Sequence, residues 1–163
     1  MRRSRRTSYR FVRLISGLIL LLVALVMSGC RTSPNPFGPV DLSKPGWTQR
    51  QYQVVWQSEP SANELVCDVI EARNTTGQFF LQVSKTPIVM ATVQGEGRQW
   101  WVKYGPRPRA ARGDAPPDAT HLWVLIALQQ KEAAQLRVEQ LPNQTMRWSN
   151  FQTGERIEGI PAS

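Results

Sequence analysis

The sequence is poor in the side chains that do chemistry. It holds one histidine, His121, and two cysteines, Cys30 and Cys67, in 163 residues. No Gly-x-Ser-x-Gly elbow, His-Glu-x-x-His pair, phosphate-binding glycine loop or metal-spaced Cys/His set occurs. That removes the common hydrolase, metalloprotease, nucleotide-binding and zinc-site readings. A lone histidine without a nearby partner is more often structural or capping than a general base. The acids are scattered singly on the polar faces of the expected strands, where solvation accounts for them. No catalytic residue and no metal ligand is expected, and the chain is not read as an enzyme. Long apolar runs are missing too. The run from Leu14 to Met27 is 14 residues, broken only by Ser16 and Gly17. A permanent spanning helix needs about 18–20.

What surrounds that run is informative. Six arginines precede it (Arg2, Arg3, Arg5, Arg6, Arg10 and Arg13), and Ser28-Gly29-Cys30 closes it. A basic start, a short apolar core and small residues before a break are the layout of a secretory signal peptide over 1–29. The cysteine directly after the small residues makes the stretch resemble a bacterial lipobox. In that reading Cys30 carries a thioether-linked lipid and becomes the first mature residue; no other cofactor is expected. The rival is an uncleaved N-terminal anchor with Cys30 as a bystander. Either way a membrane holds the chain.

The net charge of +8 belongs mostly to this leader, which has no acids. Residues 30–163 keep 14 Lys+Arg against 12 Asp+Glu, a net of +2. A nucleic-acid partner loses its electrostatic support. The remaining length suits one domain with its own core. Cys67 lies among apolar residues and has no partner once Cys30 is acylated, so it is expected as a buried small hydrophobe.

From Arg31 to Gly46 four prolines and two glycines forbid a helix. Residues 30–46 therefore read as a Pro-rich tether, and 47–163 as the folded domain. From Tyr52 onward a period of two dominates: Tyr52, Val54, Trp56; Leu65, Cys67, Val69; Phe79, Leu81, Val83; Trp100, Val102, Tyr104. Alternation of this kind gives strands with one apolar and one wetter face. Short breaks of turn residues between them, at Glu59–Asn63, Asn74–Gly77 and Gln94–Gly97, argue for antiparallel hairpins. Ile88–Val93, Leu136–Leu141, Thr145–Phe151 and Glu155–Ile160 complete the set. Gly105–Pro117, crowded with proline and arginine, is expected to be a loop. Asp118 or Thr120 can then cap a helix near 118–134, with His121 at its start. Leu122 to Leu128 is apolar nearly all round, so that helix must be covered on several sides. A strand over Leu122–Leu128 is the competing reading.

Two features remain as candidate sites. Tyr52, Trp56, Phe79, Leu81, Trp100, Tyr104 and Trp148 load the apolar strand faces. They are either ordinary core or the lining of a concave face that takes an apolar ligand. Arg98, Lys103, Arg107, Arg109 and Arg112 gather on and beyond the Trp100 strand. They are either a solvated loop or a contact for anionic lipid headgroups, with Arg107, Arg109 and Arg112 as the candidate headgroup residues. Trp101 is placed on the wetter face beside them, where an amphipathic ring suits a lipid interface.

Four stretches then carry a likeness. They are Phe79-Phe80-Leu81-Gln82-Val83-Ser84-Lys85-Thr86-Pro87, Val89-Met90-Ala91-Thr92, Gly95-Glu96-Gly97-Arg98-Gln99-Trp100-Trp101-Val102 and the closing Trp148–Arg156 hairpin. Over roughly Trp47 to Ile160 the pattern resembles the bacterial lipoprotein-localisation proteins LolA and LolB. The resemblance implies a mainly β (α+β) fold, a curved antiparallel sheet forming an incomplete barrel under one covering helix. It implies binding of lipid or acyl chains, in lipoprotein or envelope assembly. The Pro-rich 31–46 segment cannot supply the amphipathic helix with which members usually begin. With Arg31 rather than Asp after the cysteine, the family's sorting rule implies the outer membrane, facing the periplasm. The expected partners are the membrane, through the anchor, and acyl chains or lipoproteins. The rival from another class is a scaffold lipoprotein with a filled core that recruits an envelope protein.

Overall fold

The alternating runs form strands in the computed structural model, which describes residues 34–105 and 109–161. In chain order they are β1 (Trp47–Gln57), β2 (Leu65–Asn74), β3 (Gln78–Lys85), β4 (Ile88–Glu96), β5 (Gln99–Tyr104) and β6 (Arg109–Gly113). A 3-10 turn (Ala119–His121) and helix α1 (Leu122–Leu128) follow, then β7 (Leu136–Gln140), β8 (Thr145–Asn150) and β9 (Arg156–Pro161). The leader and Cys30 lie outside the described residues. Among the described residues no helix is long and apolar enough to cross a membrane.

All pairings are antiparallel, and the nine strands form one sheet in the order β6-β5-β4-β3-β2-β1-β9-β8-β7. It is two meanders. β1 to β6 run in sequence on one side, β7 to β9 on the other, and the two meet only where β1 pairs β9. That seam is three residue pairs: Val55 with Glu158, Trp56 with Ile157 and Gln57 with Arg156. The sheet does not close: β6 and β7 are its edges. Gly159 ends the seam. Its φ of +97° is one L side chains rarely adopt, and a Cβ there would sit 2.9 Å from the Gln53 carbonyl oxygen. The register between β8 and β9 slips at the same point, Met146 facing Ile160 and Arg147 facing Glu158. A bulge of this kind bends a strand and lets it part from its neighbour.

The sheet is curved, and α1 shows it. The helix packs on β3, β4, β5 and also on β8. β5 and β8 are six strand spacings apart, about 29 Å if flat, whereas a helix with its side chains is about 10–12 Å across. Only a sheet that curls round the helix brings both into reach. Leu122, Trp123, Val124, Leu125, Ile126 and Ala127 are all buried, as an all-apolar helix requires.

Four expectations are corrected. The helix stops at Leu128 rather than near 134. Gln129 takes the left-handed conformation (φ 56°, ψ 30°). Its N–H and that of Gln130 return to the Ile126 and Leu125 carbonyls, a Schellman-type stop. Gly105–Pro117 is not all loop. Arg109–Gly113 pairs with β5 as an edge strand, where a Pro-flanked segment needs ladder bonds on one side only. The β4–β5 turn is shorter than Gln94–Gly97, because Glu96 still pairs with Gln99. Trp101 is not wet: it is only 7% exposed. The row Ala72, Phe80, Gln94 and Trp101 runs in register across the convex face, and all four are buried.

Residues 34–46 reach that convex row at Gln94. They form no helix or strand, as their prolines dictate, but they lie on the sheet. Asn35 Nδ2 donates to the Gln94 side-chain oxygen at 3.1 Å and to the Gly38 carbonyl at 2.8 Å. Gln49 Nε2 donates to the Leu42 carbonyl at 3.0 Å. From Asn35 onward the segment expected as a tether is seated as a strap.

Candidate functional site

Strand parity sets the inner wall. Tyr52, Val54 and Trp56 of β1 oppose Val69, Cys67 and Leu65 of β2, and Leu81 and Val83 of β3 oppose Val93 and Ala91 of β4. Trp100, Val102 and Tyr104 of β5 continue the same face, and Trp148 enters from β8 opposite Ile157. All seven residues expected to line a concave face meet there. Phe79, Leu81, Trp100 and Trp148 are buried in the single apolar cluster, and Tyr52, Trp56 and Tyr104 pack against it. Cys67 is a free, buried thiol on this wall, and burial pushes its pKa up.

The wall is filled by α1. Trp123 meets Trp56 edge to face, with ring centroids 5.8 Å apart. Trp123 was visible only as one apolar helix residue; nothing in the sequence marked it as central. Trp100 is held at its rim by an indole N–H bond of 2.6 Å to the Ala115 carbonyl. Its ring lies so close to Gly113 that a Cβ there would fall 2.7 Å from Cζ2.

The packing is not fully satisfied. The indole nitrogens of Trp123 and Trp148 and Nδ2 of Asn150 are buried without a hydrogen-bond partner. Each such group costs about 1–3 kcal/mol relative to one that is bonded. That penalty sits on the helix and on the wall it covers.

Polar groups ring the core. At the helix start Asp118 caps the 3-10 turn by accepting from the Thr120 amide at 3.0 Å. The Tyr104 hydroxyl and His121 Nδ1 are 3.1 Å apart, and Trp100 and Tyr104 flank the imidazole at 5.4 and 6.1 Å. Burial keeps His121 neutral by lowering its pKa, against the pull of Asp118. Tyr104 can then donate to Nδ1. Burial, with the Glu155 and Asp118 charges, drives the Tyr104 phenol pKa up. Glu155 was not singled out in the sequence, because one acid beside a turn looks like any other. It is half-buried, accepts from Trp56 Nε1 at 2.9 Å, and burial raises its pKa to about 7.

At the helix end the Arg73 guanidinium donates to the Ala127 carbonyl and pairs with Glu71 at 3.1 Å. Glu71 also accepts from the Tyr52 hydroxyl at 3.4 Å. Beside them, where β1 parts from β9, a small cleft of about 30 Å³ is lined by Arg50, Glu71, Ile126, Met146 and Trp148. It reaches the helix end from outside. Among the described residues no group of three or more His, Cys, Asp or Glu gathers as a metal site.

The basic residues fall in the β4–β5 turn and along the β5–β6 edge. Arg98 lies in the β4–β5 turn, Lys103 on β5, and Arg109 and Arg112 on edge strand β6, all exposed. Arg107 lies outside the described residues.

No family model, no curated protein and no solved structure matches the chain.

Proposed function

We propose that the protein is an outer-membrane-anchored periplasmic lipoprotein that takes an acyl chain on the concave face of its sheet by displacing α1. The fold proposed with it is an incomplete barrel of LolA/LolB-like type, with a thioether lipid on Cys30 as the anchor and a role in lipoprotein or envelope assembly. One observation carries this reading: a helix of seven residues, apolar on every side, buried in a curled sheet between two irregular connections. A helix that short has no stability of its own, and what holds it is contact with the wall.

The energies are matched. Burying one methylene is worth about 0.8 kcal/mol, so an acyl chain of about fourteen brings about 11 kcal/mol. Five large apolar side chains leave the wall with the helix; at about 2 kcal/mol each they forfeit about 10 kcal/mol. Neither occupant wins outright, which suits loading and release. The unpartnered indole N–H of Trp123 tips the exchange further towards release of the helix.

A photoactivatable fatty acid, offered to the full chain in vesicles, tests the reading. Adducts on Trp56, Leu81, Trp100 or Trp148 are expected, and Leu125→Asp, which weakens the helix's hold, should increase them. Adducts confined to exposed surface would remove the carrier. The close packing of α1 favours the second reading, a scaffold lipoprotein with a filled core that recruits an envelope protein, and that outcome would leave it standing.

A further inference from the structure

We propose that the β5–β6 edge is the surface on which the domain rests against a bilayer bearing anionic headgroups, a proposal that builds on the Cys30 anchor. Two independent observations place it there. The first is charge pairing. On the β7–β9 side, Arg147 pairs with Glu158 and Glu139, Arg156 with Glu158 and Glu64, and Arg137 with Glu139. On the opposite edge Arg98, Lys103, Arg109 and Arg112 make no ion pair among the described residues. Glu96 and Asp114 are their acidic neighbours along the chain, and neither pairs with them among the described residues. The arginines of β7 to β9 are therefore paired, whereas the four basic residues of the β5–β6 side stand together unpaired and leave their positive field open.

The second observation is the strap. Asn35 is hydrogen-bonded to Gln94, and Pro36 and Phe37 line a cleft with Gln99, Trp100, Arg112 and Asp114. The chain thus reaches the body of the domain at the corner where the open charge lies. Asn35 is five positions along the chain from Cys30, a reach of at most about 18 Å. A spacer free as far as Gly46 would span about 55 Å and leave the domain to tumble. With the strap seated, the anchor pulls this corner onto the lipid. Basic residues near an anionic surface each add roughly fivefold to its hold, so the contact needs no apolar insertion.

The test uses the full lipidated chain in vesicles, with a fluorophore introduced through a non-natural side chain at Gln99 or, as the far-edge control, at Gln140. A headgroup-labelled lipid serves as quencher. Quenching should be several-fold stronger at 99 than at 140 in vesicles containing phosphatidylglycerol. The difference should vanish in purely phosphatidylcholine vesicles and in the quadruple variant Arg98→Gln, Lys103→Gln, Arg109→Gln, Arg112→Gln. Equal quenching at both positions, or a bias to 99 that survives either change, overturns the proposal. Flotation in high salt reads the anchor separately. If that retention fails, the anchor reading falls, and the edge contact stands only if the same bias to 99 appears on anionic vesicles at low salt.

Discussion

Trp56 and Glu155 are joined across the seam of the sheet, the indole N–H of one donating to the carboxylate of the other at 2.9 Å. The bond stabilises the ionised acid, yet burial outweighs it and leaves the Glu155 pKa near 7 rather than 4.5. The folded chain therefore keeps a proton that the unfolded chain releases. Stability should fall as pH rises from about 4.5 to 7 and then level off. His121 works in the opposite sense: its lowered pKa makes the folded chain bind fewer protons, so its contribution grows as pH rises towards 6.5. Glu155→Gln should abolish the fall and expose the His121 rise, gaining about 1–3 kcal/mol at pH 8. Urea midpoints at pH 5 and pH 8 would check it, and an unchanged profile would count against the burial of this carboxyl.

Arg73 is the clamp on the helix end. Its bond to the Ala127 carbonyl satisfies a group that the stop at Gln129 leaves open. Arg73→Ala should cost about 1.5–3 kcal/mol, the usual worth of a hydrogen bond to a charged group. If α1 is the exchangeable element, the same variant should take up a fluorescent fatty acid more readily than the parent. Loss of stability without any gain in uptake would speak for a fixed core.

Trp123 carries the largest buried side chain of the helix. Trp123→Ala should destabilise by about 3–5 kcal/mol through lost contact and the cavity left behind. Trp123→Phe keeps most of the ring and removes the unpartnered N–H, so its cost should be far smaller. Thermal unfolding of the two variants separates packing from polarity.

Gly159 allows β9 to leave β1. Gly159→Ala places a Cβ 2.9 Å from the Gln53 carbonyl oxygen at a φ of +97°. A cost of about 1–2 kcal/mol is expected. That corresponds to a melting temperature lower by about 3–8 °C. A neutral substitution would mean that the bulge relaxes freely.

Most strands were legible because each has one wet face, and a period of two then points without ambiguity to the wall. Tyr52, Trp56, Phe79, Leu81, Trp100, Tyr104 and Trp148 came together for that reason. The failures share a cause: tertiary cover leaves no periodic trace. Trp101 alternates like a wet residue, yet it sits in a buried convex row beside Gln94, to which Asn35 of the strap is bonded. β6, reading Arg-Ala-Ala-Arg-Gly, has no apolar alternation and is a strand only because β5 offers an edge. The helix end turns on Gln129 adopting a conformation that glycine usually supplies. Glu155 becomes unusual only when the fold draws it in against Trp56.

The three residue pairs between β1 and β9 also set the order of assembly. Every other strand pairing joins neighbours along the chain, and such local pairings form quickly. Val55, Trp56 and Gln57 must wait for Arg156 to Glu158. A chain emerging with its N-terminus first would hold six finished strands with their ring-bearing side uncovered, and α1 would have no β8 to lean on. During that interval the nascent protein is a hazard to itself, so a holding chaperone should be needed until the last hairpin arrives.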